Sequence, residues 1–204
     1  MAAGALALVL HAHLPYVRSG EAGSLEEDWY FQALQECYLP LLQMLETAAG
    51  DPGQQPRLTL GLSPTLLSLL SDPQLRGRFL PWLEQRRILL HRAPAGLSIA
   101  ARDLEHRLDA VERQWRAAKG NLLPRFRRLQ QVGVLDLITC AATHGYLPLL
   151  RESPEAVRAQ LLTACREHQR LLGEQPLGIW LPECAYYEGL DEMLASSGLR
   201  YTLL

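Results

Sequence analysis

The sequence has no apolar run long enough to cross a bilayer. Its opening, MAAGALALVL, is apolar for about nine residues, whereas a spanning helix needs about 20. The same opening lacks a basic n-region and runs directly into HAHLP, which argues against a signal peptide. Cysteines are few and scattered: Cys37, Cys140, Cys165 and Cys184 form no CxxC pair. That spacing indicates neither a zinc site nor a disulfide framework, and a reducing cytoplasm is the expected compartment. Charge of one sign is lacking too. Twenty Lys and Arg against 22 Asp and Glu leave a net charge of −2, which gives no electrostatic case for DNA, RNA or acidic lipid. The arginine clusters Arg86-Arg87 and Arg125-Phe126-Arg127-Arg128 fall in helical stretches and read as solvated helix faces. Low-complexity tracts and internal repeats are missing as well.

What is present is ample apolar material, 48% of 204 residues, sufficient for a sizeable core in one domain or in most of a larger one. Short β-type runs alternate with longer helical ones. ALALVL (5–10) is uniformly apolar, as expected of a strand covered on both faces. A helical pattern spans about 28–49, and Pro40 should kink or divide it. GDPGQQP (50–56) reads as a loop and RLTLGL (57–62) as the second strand. Helices are expected at 65–71, 73–91 and 98–130, the last broken by Gly120 and Pro124. VLDLITCA (134–141) is the third strand, and a helix follows with Ser153 as N-cap, Pro154 at its first position and Gly173 at its end. LGIWL (177–181) and RYTLL (200–204) are the fourth and fifth strands, with a helix at 188–197 between them. Strand-helix-strand order of this kind implies a parallel sheet, because parallel neighbours need crossover connections. The chain stops at the fifth strand with no helix to cover it, an ending that reads as a cut.

Polar residues gather where the strands end. His11 and His13 follow the first strand, Ser63-Pro64-Thr65 the second, Thr143-His144-Gly145-Tyr146 the third, and Glu183 the fourth. In a parallel sheet or barrel these points share one face, the face at which ligands bind. His11 and His13 alternate at strand spacing and so point to one side. Spacing alone allows them to ligate a metal, to hydrogen-bond a sugar, or to be a structural pair. His144 taken singly reads as structural, and Trp29 and Trp180 as core residues with sugar stacking as the alternative. Glu183 is different. No basic residue stands near it in sequence, and its neighbours in GIWLPECAYY are apolar or aromatic, a setting expected to raise a carboxyl pKa.

HAHLPYVR, GLSPTL, ATHGYLPLL and GIWLPECAY, in that order, resemble successive motifs of glycoside hydrolase family 57, closest to its 1,4-α-glucan branching branch. YLPLLQ on the first helix also fits, and the resemblance covers nearly the whole chain. It implies an α/β fold, a parallel β/α barrel of seven strands resembling an incomplete triosephosphate isomerase barrel. Residues 1–204 would be the N-terminal part of that single catalytic domain, truncated after about the fifth strand. It further implies a retaining mechanism with Glu183 as nucleophile. His11, His13 and His144 would line the sugar site, and Trp29 and Trp180 would be walls of the cleft. The implied substrate is an α-1,4-glucan such as glycogen, amylose or starch, with no metal or other cofactor. The family's acid/base aspartate belongs to a later strand, beyond Leu204, so this chain alone is expected to be inactive and to expose a sheet edge. Hydrolysis as in an α-amylase, or 4-α-glucan transfer, would use the same parts. Two other classes stand beside this one: a zinc hydrolase using His11 and His13, and a glucan-binding piece that pairs with a separately encoded C-terminal half.

Overall fold

The computed structural model describes residues 4, 6–18, 23–51, 56–92, 94 and 97–204. Among them, five strands form one parallel sheet in the order β1 (Val9–Ala12), β2 (Leu58–Leu62), β3 (Leu135–Cys140), β4 (Gly178–Trp180) and β5 (Tyr201–Thr202). The chain thus adds each new strand beside the previous one, as sequential crossovers require. Their carboxyl ends share one rim.

The first helical stretch shows how one residue shapes a path. α1 (Leu25–Ala33) and α2 (Leu39–Ala49) are joined without a turn by a π-helical segment, Leu34–Tyr38. Pro40 has no N–H to give, and the wider segment before it, closed by Leu39 N–H on the Leu34 carbonyl, takes up the mismatch. The expected division at Pro40 is therefore a π-bulge. α3 (Pro64–Ser71) and α4 (Pro73–His91) start on Ser63 and Asp72, whose side chains accept from first-turn amides. α5 (Ser98–Ala117) and α6 (Leu123–Gln131) are separated at Gly120 as expected. A short α7 (Leu147–Leu150) precedes α8 (Pro154–Leu172), which ends on Gly173 at φ 90°. Ser153 occupies the N-cap position there, but its side chain makes no cap bond. α9 (Leu190–Ser196) leads to β5.

The core forms two clusters, the larger of them between the first three strands and α1–α6, where Phe31, Phe79, Trp82 and Trp115 pack ring on ring. The smaller joins Ile179 and Leu181 to α8 and α9. Tyr201 lies across Gly178, where any Cβ would meet its ring at 2.4 Å, and donates its hydroxyl to Asp136 on β3.

Two expectations fail. The first strand begins at Val9, and Leu6, Leu8 and Leu10 are 83%, 52% and 42% exposed, so β1 is not covered on both faces. The reason is positional: β1 lies at a sheet edge and pairs only with β2 among the described residues. Ala5 and residues 52–55 of the first expected loop lie outside the described residues. Arg86, Arg87 and Arg125, too, are less solvated than expected, whereas Arg128 is exposed as expected. Arg86 pairs with Asp28 of α1 and lies 4.7 Å over Trp82; Arg87 reaches Asp109 and Glu112 of α5 at 2.8 and 2.6 Å. Arg125 holds both carboxylate oxygens of Glu46 at 2.7 Å. These guanidiniums tie helices together. No helix among the described residues is long and apolar enough to cross a membrane.

Candidate active site

β1 sends His11 from within the strand and His13 from just beyond it, and both rings face the rim, nearly parallel at 10° and 6.3 Å apart. The turn after β3 brings in His144, whose backbone has φ 56°. That turn is clamped by Gln160 of α8, which accepts from the Thr143 amide at 2.9 Å and donates to the Thr143 hydroxyl at 2.8 Å. His11 Nε2 and His144 Nε2 are 3.1 Å apart, and the His13 ring centre is 3.9 Å from that of His144. Trp180 of β4 stacks on His11 at 4.9 Å and 9°. The sequence reading expected the three histidines on one rim with Glu183 and took Trp180 for a core residue with sugar stacking as the alternative; the structure makes the histidines and Trp180 a single row of rings.

Gly61, which sequence reasoning passed over, makes the row possible. It pairs with His11 across β1 and β2, and a Cβ there would stand 2.8 Å from His11 Nδ1 and 3.5 Å from Trp180 Cβ. Only a bare backbone lets the imidazole lie across β2 and reach Trp180; a glycine inside a strand is the signal for such an approach. Gly61→Ala should therefore destabilise the chain by about 1–3 kcal/mol in urea unfolding and separate the His11 and Trp180 rings. Ring-current shifts of His11 that survive the substitution would contradict this.

Glu183 follows β4 in a 3₁₀ turn, Pro182–Cys184, with Leu181 held extended before the proline. Its backbone sits at φ 58°, ψ 23°, and Cys184 follows at φ 54°. Three of the four non-glycine residues with positive φ among the described residues are therefore His144, Glu183 and Cys184. Left-handed backbone costs a non-glycine residue about 1–3 kcal/mol, and it concentrates where a side chain must be aimed.

The enclosure expected around Glu183 is not there. The carboxylate is exposed, because the neighbouring tyrosines turn to α9: Tyr186 donates to Asp191 at 2.9 Å, and Tyr187 reaches Met193. Glu183 makes no ion pair among the described residues. Its charge does reach the cluster. The Cys140 thiol is pushed up to about 12, chiefly by burial, with Glu183's negative charge adding to it. Trp29 is the one expected site residue left apart, 47% exposed on α1 and outside the row of rings.

Burial, then the positive charge that His144 would carry, lowers His11 and His13 to about 4; a charge on His13 lowers His11 further. At neutral pH both rings are uncharged. One atom each of His11, Cys140 and His144 lies within 4.8 Å of the others. A tetrahedral zinc ion would need those atoms about 3.5 Å apart and the thiol deprotonated. It would also have to break the His11–His144 contact. The HxH pair, for its part, is not free, since His13 Nδ1 lies 2.9 Å from Ser63 Oγ and 3.2 Å from Thr65 Oγ1. The three residues fit a metal poorly.

A groove of about 630 Å³ lies elsewhere, lined by Gln35, Pro40, Gln43, Leu104 and Val111, with no ring to stack a sugar. Residues 7–204 match the sequence profile of glycosyl hydrolase family 57. A 1,4-alpha-glucan branching enzyme of Thermococcus kodakarensis is 32% identical over 97% of this chain, which spans 32% of that protein. A GH57-type branching enzyme from Pyrococcus horikoshii superposes with a TM-score of 0.88 at 34% identity, over 96% of this chain and 41% of its own. The alpha-amylase AmyC from Thermotoga maritima gives 0.88 at 33%, over 96% of this chain and 38% of its own. The five-stranded sheet matches part of the incomplete barrel of these structures. By its sequence over nearly its whole length and by its fold, the chain belongs to glycosyl hydrolase family 57.

Proposed function

We propose that residues 1–204 are the N-terminal part of one catalytic barrel that branches α-1,4-glucans, and that they carry its nucleophile, Glu183. The observation that supports this most is Glu183 and three imidazoles on one rim, in a chain whose curated relatives bear the name of 1,4-alpha-glucan branching enzyme. A Glu183 oxygen attacks the anomeric carbon of a glucan unit. The glycosidic C–O bond breaks, and the leaving oxygen takes a proton from a second carboxyl group about 5 Å from the first. That second group belongs to the portion of the relatives this chain does not span. The resulting ester is opened by a glucose 6-hydroxyl, which gives an α-1,6 branch with the anomeric configuration retained.

The row of rings suits the charge that develops. A neutral imidazole at His13 accepts a hydroxyl proton, and neither it nor the neutral His11 beside it opposes the positive anomeric carbon, as an imidazolium would. Trp180 supplies a flat wall behind His11, and Trp29 a more distant one. AmyC, equally similar in fold, favours a second reading in which water opens the ester. New α-1,6 linkages against new reducing ends distinguish the two.

The nucleophile can be tested in this chain as it stands. With 5-fluoro-α-glucosyl fluoride the leaving fluoride needs no proton, so the ester forms without the second carboxyl. Mass spectrometry should find one sugar on the peptide containing Glu183, and none in Glu183→Gln. A label on another residue, or none on the folded chain, would remove the reading.

A further inference from the structure

Ser63 caps α3 and Thr65 lies in its first turn, and both hydroxyls meet Nδ1 of His13. Ser63 Oγ accepts from the Leu66 amide at 3.3 Å and so caps α3. It also lies 3.0 Å from Thr65 Oγ1 and 2.9 Å from His13 Nδ1. Thr65 Oγ1 lies 3.2 Å from the same nitrogen and donates to the Leu14 carbonyl at 3.0 Å.

Counting donors assigns every hydrogen. A carbonyl oxygen only accepts, so the single proton of Thr65 belongs to Leu14. Thr65 Oγ1 must then accept from both Ser63 and His13. The proton of Ser63 is thereby committed to Thr65, which leaves Ser63 Oγ an acceptor toward His13 as well as toward Leu66. One arrangement satisfies all these contacts: His13 is protonated on Nδ1, and that hydrogen is shared between the two hydroxyls. The ring is neutral, since burial and the charge His144 would carry lower it to about 4. Its Nε2 is therefore a bare lone pair. No protein group bonds to that atom among the described residues.

We propose that Ser63 and Thr65 are positioning residues that hold His13 as the Nδ1–H tautomer, so that Nε2 can only accept, and accepts from a sugar hydroxyl. The identity of that hydroxyl rests on the glucan reading above; the tautomer does not. A hydroxyl that gives its hydrogen to Nε2 gains electron density on oxygen, which offsets positive charge forming at the neighbouring anomeric carbon. The opposite tautomer would donate to the sugar and withdraw density from it.

Long-range proton–nitrogen NMR on the chain labelled with ¹⁵N-histidine reads the tautomer directly, with no substrate. Wild-type His13 should show Nδ1–H at pH 7. Thr65→Val takes away the acceptor of the Ser63 proton, which then turns to His13 Nδ1 and drives the ring toward Nε2–H. Thr65→Ser should restore the wild-type signals. Affinity for maltoheptaose should fall about tenfold in Thr65→Val and recover in Thr65→Ser, following the tautomer. A wild-type ring protonated on Nε2 overturns the assignment. So does a Thr65→Val ring that stays Nδ1–H while only stability falls, the result expected of a purely structural hydroxyl. A tautomer that responds as stated with no change in affinity would sustain the positioning of His13 and overturn its sugar partner, and with it the glucan reading.

Discussion

Glu183→Gly should make the chain more stable by about 1 kcal/mol while abolishing its labelling by the glycosyl fluoride. Glu183 holds φ 58°, ψ 23°, a conformation that glycine adopts freely and other residues adopt under strain. Glycine gains by relief of that strain and loses part of the gain to its greater freedom in the unfolded chain. Glu183→Gln separates the two effects, for it removes the nucleophile and keeps a side chain in the left-handed turn. Urea unfolding of both variants, beside the mass shift on the Glu183 peptide, completes the comparison. A glycine variant no more stable than wild type would mean that the turn carries no strain. Labelling that persists would place the nucleophile elsewhere. The expected pair of results, greater stability with no chemistry, is the signature of a residue kept for its function.

Acid should destabilise the chain through His168, a residue outside the proposed chemistry. It lies on α8, fully buried, and neither ring nitrogen has a protein partner among the described residues. Burial lowers its pKa from 6.5 to about 4. The folded state therefore resists a proton that the unfolded chain accepts. This contribution is fully present above pH 6.5, is lost progressively as pH falls, and bottoms out near pH 4. One proton over that window amounts to about 1.4 kcal/mol per pH unit and about 3 kcal/mol in all. His11 and His13 are lowered in the same direction, so His168→Leu should reduce the slope without abolishing it. Urea unfolding at pH 7, 6 and 5 measures this. Parallel pH dependence in wild type and His168→Leu would mean that the buried ring is protonated, or solvated, in the folded state.

Much of this architecture was legible in residue order. Helix starts at Pro73 and Pro154, the break at Gly120 and the divided helix at Pro40 follow from rules confined to a few neighbouring residues. Convergence of His11, His13, His144 and Glu183 followed from one further step, since parallel strands bring their carboxyl ends to one rim. Where expectation failed, the missing information lay across the fold. Arg86 and Arg87 look solvated on a helix seen in isolation; Asp28 and Asp109, which pair with them, come from α1 and α5. Apolar neighbours of Glu183 suggested an enclosure, yet they point to α9 and leave the acid open.

The sequence alone determined the strand and helix order, the parallel sheet and the acid placed just past a proline, because each depends on local backbone preferences and on which residue types alternate. It did not determine how the rings meet. That His11 reaches Trp180 over the bare backbone of Gly61, and that the hydroxyls of Ser63 and Thr65 meet Nδ1 of His13, depend on residues about 50 to 170 positions apart. Strand register and stagger bring such residues within hydrogen-bonding and stacking range, and no local pattern encodes either.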